Sequence, residues 1–179
     1  ADTFRLSVGV HPLVNYSENN VLRTVAIMHE KLLRSCGPAT FEVARVVALD
    51  PGLPHHVNVD APGVLNMFAA TGTSIQVVAS ITHCGGAPAS GSILGCARRG
   101  GPILVTGRTA RPADPQVWAH EIGHAQGLGH GFSGYVNAHN PTSGSLMFAS
   151  ASTSAWAMDH NECKQFYSRQ TFPPSSIAN

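Results

Sequence analysis

Apolar and polar residues alternate over residues 3–10 (TFRLSVGV), the period of a β-strand with one face in a core. From Ser17 the period changes. Val21, Val25, Met28 and Leu32 recur at i, i+4, i+7 and i+11, which predicts an amphipathic helix capped by Ser17 and stopped by Gly37 and Pro38. Strand-like runs return at FEVARVVALD (41–50), broken by Pro51-Gly52-Leu53-Pro54, at a short piece HVNVD (56–60), and at the β-branched SIQVVASIT (74–82). A Gly/Ala/Ser-rich loop follows, then two further candidates, SILGCARR (92–99) and PILVTG (102–107), separated by Gly100 and Gly101. Asp114 and Pro115 predict a helix start, the acid as N-cap and the proline at the first helical position. This helix runs through QVWAHEIGHAQ (116–126) and stops at Gly127, a residue suited to the left-handed C-terminal turn. Residues 129–151 read as loop, and Asp159 with Glu162 is a capping-box signature for a last helix reaching Arg169. With no repeat and no linker, the order of strand, helix, several strands, helix, loop and helix predicts one α+β domain over residues 1–179.

Composition narrows the partners. Charged residues make up 12% of the 179 and apolar ones 43%, enough for a core of its own. The formal net charge is +1 and no basic cluster exceeds the pair Arg98-Arg99, so there is no footprint for nucleic acid. No apolar stretch approaches the roughly 18 residues of a membrane span. Four cysteines suit two disulfides and an oxidising compartment, which predicts a secreted or extracellular protein, the periplasm included. The start at ADTF without a methionine fits a removed leader and equally a trimmed boundary. Of the three possible pairings we expect Cys84–Cys96, which flank a loop that returns on itself, and hence Cys36–Cys163. The latter closes a loop of more than 100 residues, worth about 4–5 kcal/mol in loop-closure entropy. Cys36 sits in RSCGPA after an amphipathic helix, a place for a disulfide and not for an inhibitory thiol. Asn15-Tyr16-Ser17 fits the N-glycosylation pattern.

The candidate chemistry lies in HEIGHAQGLGH, residues 120–130. His120 and His124 stand one turn apart on one helical face, so their imidazoles reach one metal ion. Glu121 between them is placed to hold a water on that ion and take its proton. Gly127 lets the chain leave the helix sharply and return His130 as third ligand. Three protein ligands leave a fourth position open, the catalytic arrangement of one zinc ion. Trp118, Ile122 and Ala125 face elsewhere and anchor the helix in the core. The remaining histidines lack ligand spacing and are expected to be surface or hydrogen-bonded residues.

This segment resembles the H-E-x-x-H-x-x-G-x-x-H signature of the metzincin zinc endopeptidases. The resemblance implies a methionine turn beneath the metal, for which SGSLMF offers Met147. It implies a twisted mixed sheet with a backing helix, an active-site helix and a C-terminal helix, divided into an upper part (1–127) and a lower part (128–179). SILGCARRGG becomes the edge strand above the cleft and PILVTG the strand leading to the active-site helix. A peptide adding to that edge would meet Gly95, Ala97 and Arg98. Phe148 begins the candidate pocket wall over residues 148–156, and Tyr135 is a candidate to approach the metal from the loop before it. The chain departs from the well-known families. Gly131 after the third histidine does not match astacins, matrixins, adamalysins or serralysins, and Ala149 stands where astacins and serralysins carry a tyrosine.

The expectation is therefore a small, secreted, monomeric zinc endopeptidase acting on protein or peptide, with Glu121 as general base. One alternative is a zinc-stabilised binding module without turnover, which would have no use for Glu121. Another is a zinc amidase acting on a non-peptide amide such as a cell-wall crosslink.

Overall fold

The computed structural model describes residues 2–86, 93–107, 111–129 and 144–169. In chain order they form β1 (Asp2–Val10), α1 (Glu18–Cys36), β2 (Ala39–Ala48), β3 (His56–Asn58), α2 (Val64–Ala69), β4 (Ile75–Val78), β5 (Ser80–His83), β6 (Gly95–Ala97), β7 (Ile103–Thr106), α3 (Asp114–Ala125) and α4 (His160–Phe166). The main sheet runs β2-β1-β4-β7-β6, its first four strands parallel and β6 antiparallel to β7 at the edge. β3 and β5 pair separately, parallel to each other.

The expected periodicities locate the core. Phe4, Leu6 and Val8 of β1 face inward and are fully buried, meeting Val21, Val25, Met28 and Leu32 of α1. Trp118 and Ile122 of α3 and Phe166 of α4 complete this cluster. The central strands IQVV (β4) and ILVT (β7) are buried on both faces, as parallel strands covered on two sides must be. Their other face packs with Val57, Phe68 and Ile81 in a second, smaller cluster.

Ser17 caps α1 by accepting from the Asn20 amide, and Gly37 ends it at φ 87°. Asp159 and Glu162 form the reciprocal capping box of α4, though that helix stops at Phe166, short of Arg169. The run 74–82, read as one strand, is two. The amides of Ala79 and Ser80 both donate to the His55 carbonyl, at 2.8 and 3.0 Å. That bend sends β4 into the main sheet and β5 to β3. α2 escapes periodicity because its six residues are too few to show one; it opens on Gly63 at φ 80°. Asp114 is not the N-cap of α3. Ala113 holds that position without a side-chain bond, and Asp114 lies in the first turn, where its carboxylate accepts from the distant Tyr16 and from the Arg111 amide three residues before it.

The disulfides are Cys36–Cys163, joining the end of α1 to α4, and Cys84–Cys96, fastening the edge strand to the turn after β5. The first spans 127 residues, for which loop closure accounts for about 5 kcal/mol. Replacing both Cys36 and Cys163 by serine is expected to lower the unfolding free energy by about 2–5 kcal/mol in denaturant titration. A loss under about 1 kcal/mol would show that α1 and α4 hold together by packing alone.

Candidate metal centre

The site is built on α3, a helix buried almost all round, so its position is set at both ends by polar contacts. At its start Asp114 is buried. It accepts from the Tyr16 hydroxyl at 3.2 Å and the Arg111 amide at 2.9 Å, and it pairs with the Arg111 guanidinium at 3.4 Å. Tyr16 also bonds Thr24 of α1 at 2.8 Å, so the backing helix and the active-site helix share one network. Burial raises the Asp114 carboxyl above its ordinary range, opposed by Arg111 and Tyr16, and burial likewise raises Tyr16. At the other end the Gly127 amide bonds the His124 carbonyl at 3.0 Å and the Leu128 amide bonds the Gly123 carbonyl at 2.8 Å. With Gly127 at φ 100°, this is a Schellman turn, and the chain leaves the helix there. α4 docks on that end: Gln126 donates to the Phe166 carbonyl at 3.0 Å and Arg169 to the Ala125 carbonyl at 3.0 Å.

Between these anchors the two histidines converge. His120 Nδ1 donates to the Leu146 carbonyl at 2.7 Å and His124 Nδ1 to the Leu128 carbonyl at 2.8 Å. Each bond assigns the proton to Nδ1, leaving Nε2 as a lone pair. The two Nε2 atoms lie 3.0 Å apart, on rings set at 89° to each other. Two lone pairs facing at that distance repel unless a cation lies between them. Two nitrogens bound tetrahedrally to one zinc at 2.0–2.1 Å would be ~3.3 Å apart, so the pair fits such an ion within a few tenths of an ångström. Burial lowers the His120 pKa, opposed by the Leu146 carbonyl, which favours the neutral, ligating imidazole.

Glu121 completes the group. Its Oε1 is 3.9 Å from His120 Nε2, and potential ligand atoms of His120, Glu121 and His124 all lie within 4.8 Å of one another. Glu121 is buried, and its Oε2 has no hydrogen-bond partner among the described residues. Burial pushes its carboxyl up to about 8. A buried carboxylate oxygen without a donor is costly unless a cation or a water supplies the missing contact, and the donor set therefore fits a metal.

Met147 is fully buried beneath α3, and its sulfur stands where a side chain at Gly123 would be: a Cβ there would lie 2.6 Å from Sδ. Gln116, one turn before His120, donates to the carbonyls of Leu146 (3.4 Å) and Ala155 (3.3 Å) and accepts from the Ser152 amide (3.4 Å). Gln116 and Gly123 were not expected from sequence as site residues. A buried amide on the metal face and a glycine inside a helix were their signals. The two orienting carbonyls leave no mark in residue type at all.

The other expected residues are placed unevenly. Gly95 and Ala97 lie on edge strand β6, and Gly95 packs directly on Glu121. Arg98 follows the strand with its guanidinium 3.2 Å from Asp60, whose carboxylate also accepts from the Gly85 and Gly86 amides. Phe148 is half-buried next to Met147. His130 and Tyr135 lie outside the described residues. Of the other described histidines, His11 is buried with both ring nitrogens engaged, by the Leu53 carbonyl and the Leu13 amide.

A family model described as Peptidase M66 matches residues 65–178, more than half of the chain. The chain belongs to the Peptidase M66 family. It is accordingly a metallopeptidase, and solved structures agree on its fold. Archaemetzincin from Methanopyrus kandleri superposes at 15% identity with a TM-score of 0.55, covering 92% of this chain and 93% of that one. Metalloproteinase-II from Bacteroides fragilis does so at 14% identity and 0.57, covering 93% of this chain and 53% of that one. A chain of a chaperone–substrate complex, at 16% identity, covers 83% of this chain and 28% of that one, and its TM-score of 0.49 is too low to bear on the fold. This M66 chain thus spans less than two-thirds of the last two. No curated protein sequence matches it. The mixed sheet with an antiparallel edge strand, the backing helix and the C-terminal helix are those of metzincin-like zincins.

The Gly123–Met147 contact is testable. Alanine favours a helix interior over glycine by about 1 kcal/mol, but overpacking costs about 1–3 kcal/mol. Gly123→Ala is therefore expected to lower Tm by roughly 2–6 °C in thermal unfolding, and to raise it when Met147 is also alanine. Stabilisation by Gly123→Ala alone would show that the sulfur yields freely.

Proposed function

We propose that the chain is a secreted zinc endopeptidase in which His120, His124 and His130 hold the ion and Glu121 is the general base. The observation that carries this reading is the convergence of two Nε2 lone pairs beside a buried carboxylate that lacks a donor. His130 enters by its place in the motif. When bound, zinc supplies a Lewis acid that acidifies a water and polarises a carbonyl. The residues do the rest. The Leu146 and Leu128 carbonyls keep both imidazoles aimed at one point, so no reorientation is needed on binding. Glu121 takes the proton of the attacking water on its carboxylate and delivers it to the leaving nitrogen, which departs as an amine.

Among the described residues no strand pairs with the outer side of edge strand β6, which offers backbone groups to an extended peptide, with Ala97 and the Arg98 backbone along it. Because the Arg98 guanidinium is shared with Asp60, its contribution to substrate is structural first. Phe148 and the segment to Trp156 are the candidate opposite wall of the cleft. Two disulfides suit an extracellular setting.

Glu121→Gln is expected to retain stoichiometric zinc by elemental analysis and to lose about a thousand-fold in kcat/KM on a peptide library. Chelation should abolish cleavage by the wild type, and added zinc restore it. A wild type that binds zinc yet cuts nothing that Glu121→Gln leaves intact would end the protease reading.

A further inference from the structure

Gly95 opens β6 directly over Glu121. A Cβ at Gly95 would lie 2.5 Å from Glu121 Cγ, 2.9 Å from Cδ and 3.3 Å from Oε1. Non-bonded carbons at their optimum are ~3.5–4.0 Å apart, so no other residue type fits while Glu121 stays where it is. Conformation does not explain the glycine, since Gly95 is in regular strand geometry and is absent from the glycines with positive φ. A glycine weakens a strand and commonly marks a close approach by another group. Here that group is the Glu121 side chain, which supplies all three of the nearest atoms.

Neither backbone has room to yield. β6 is paired with β7 through Gly95–Val105, Cys96–Leu104 and Ala97–Ile103, and Cys96 is bonded to Cys84. α3 is held by its Schellman turn and by the two histidine–carbonyl bonds. The movable part is the Glu121 side chain. Its Oε2 has no hydrogen-bond partner among the described residues, so packing walls and not donors set its direction.

We infer that Gly95 is a positioning residue: by lacking a Cβ, the edge strand forms the slot that aims the Glu121 carboxylate beside His120. The inference rests on the reading of Glu121 as general base. It differs from a role for Gly95 in binding substrate, because an added methyl group would swing the carboxylate out of its slot while leaving the free edge of β6 in place.

Two measurements test it on the purified, full chain. In steady-state kinetics with the zinc-loaded protein, Gly95→Ala is expected to lower kcat about a hundred-fold, the effect of misplacing a reacting group by about 1 Å, with KM within about threefold of wild type. In thermal unfolding of the chelated protein, Gly95→Ala is expected to lower Tm by roughly 5 °C in the wild-type background and by less than about 1 °C in a Glu121→Ala background, where the clash is gone. If Gly95→Ala fails to fold, a double variant melting with its Glu121→Ala parent supports the slot; a double variant that also fails to fold overturns it. An unchanged kcat, or a raised KM at unchanged kcat, overturns the positioning role while the general-base reading survives in an inactive Glu121→Gln. A Glu121→Gln variant with wild-type kcat overturns that reading and this inference together, even where the Tm coupling confirms the contact.

Discussion

Everything at this centre depends on two hydrogen bonds from histidine Nδ1 to backbone carbonyls, one at Leu146 and one at Leu128. They fix the tautomer and turn the two Nε2 atoms towards each other, 3.0 Å apart. Their acceptors lie on separate segments. Leu128 follows the Schellman turn, whereas Leu146 precedes the buried methionine on the chain that passes under α3. The helix termination and the lower segment must therefore both be right before the histidines are.

The supporting structure meets that demand from several directions. Tyr16, Thr24, Arg111 and Asp114 tie the start of α3 to α1, and Gln126 and Arg169 tie its end to α4 and the residues after it. The Cys36–Cys163 bond then joins α1 to α4, so the two helices that hold α3 are themselves covalently linked. Gln116 satisfies its amide on the lower segment, bringing Leu146 and Ala155 against the same helical face. A helix this deeply buried has little choice, because each polar group it carries must find a partner within the protein.

Clearance at glycines matters beside these bonds. Gly95 admits Glu121, and Gly123 admits the Met147 sulfur; neither needs an unusual backbone angle. Gly127 is different, since its φ of 100° permits the turn after α3. Of these three, Gly127 was recognisable in the sequence from its place after a helical period. Gly95 reads in the sequence as a candidate substrate contact, and Gly123 carries no sequence expectation of its own. Space-making glycines carry no local signal because the group that needs the space comes from elsewhere in the chain.

Local periodicity and motif spacing determined a good deal: the inward face of β1, the amphipathic face of α1 with its Ser17 cap, the capping box of α4, the α+β order, and His120 with His124 on one face of a helix. These depend on contacts within a few residues, which a linear pattern records directly. Tertiary structure alone decided the bend at Ala79 that divides one β-branched run between two sheets, and the engagement of Asp114 by the distant Tyr16. It also decided which carbonyls orient the histidines and which glycine receives the glutamate. The physical reason is common to all of these. A main-chain carbonyl and an absent side chain are the same in every sequence, and only the fold gives them a neighbour.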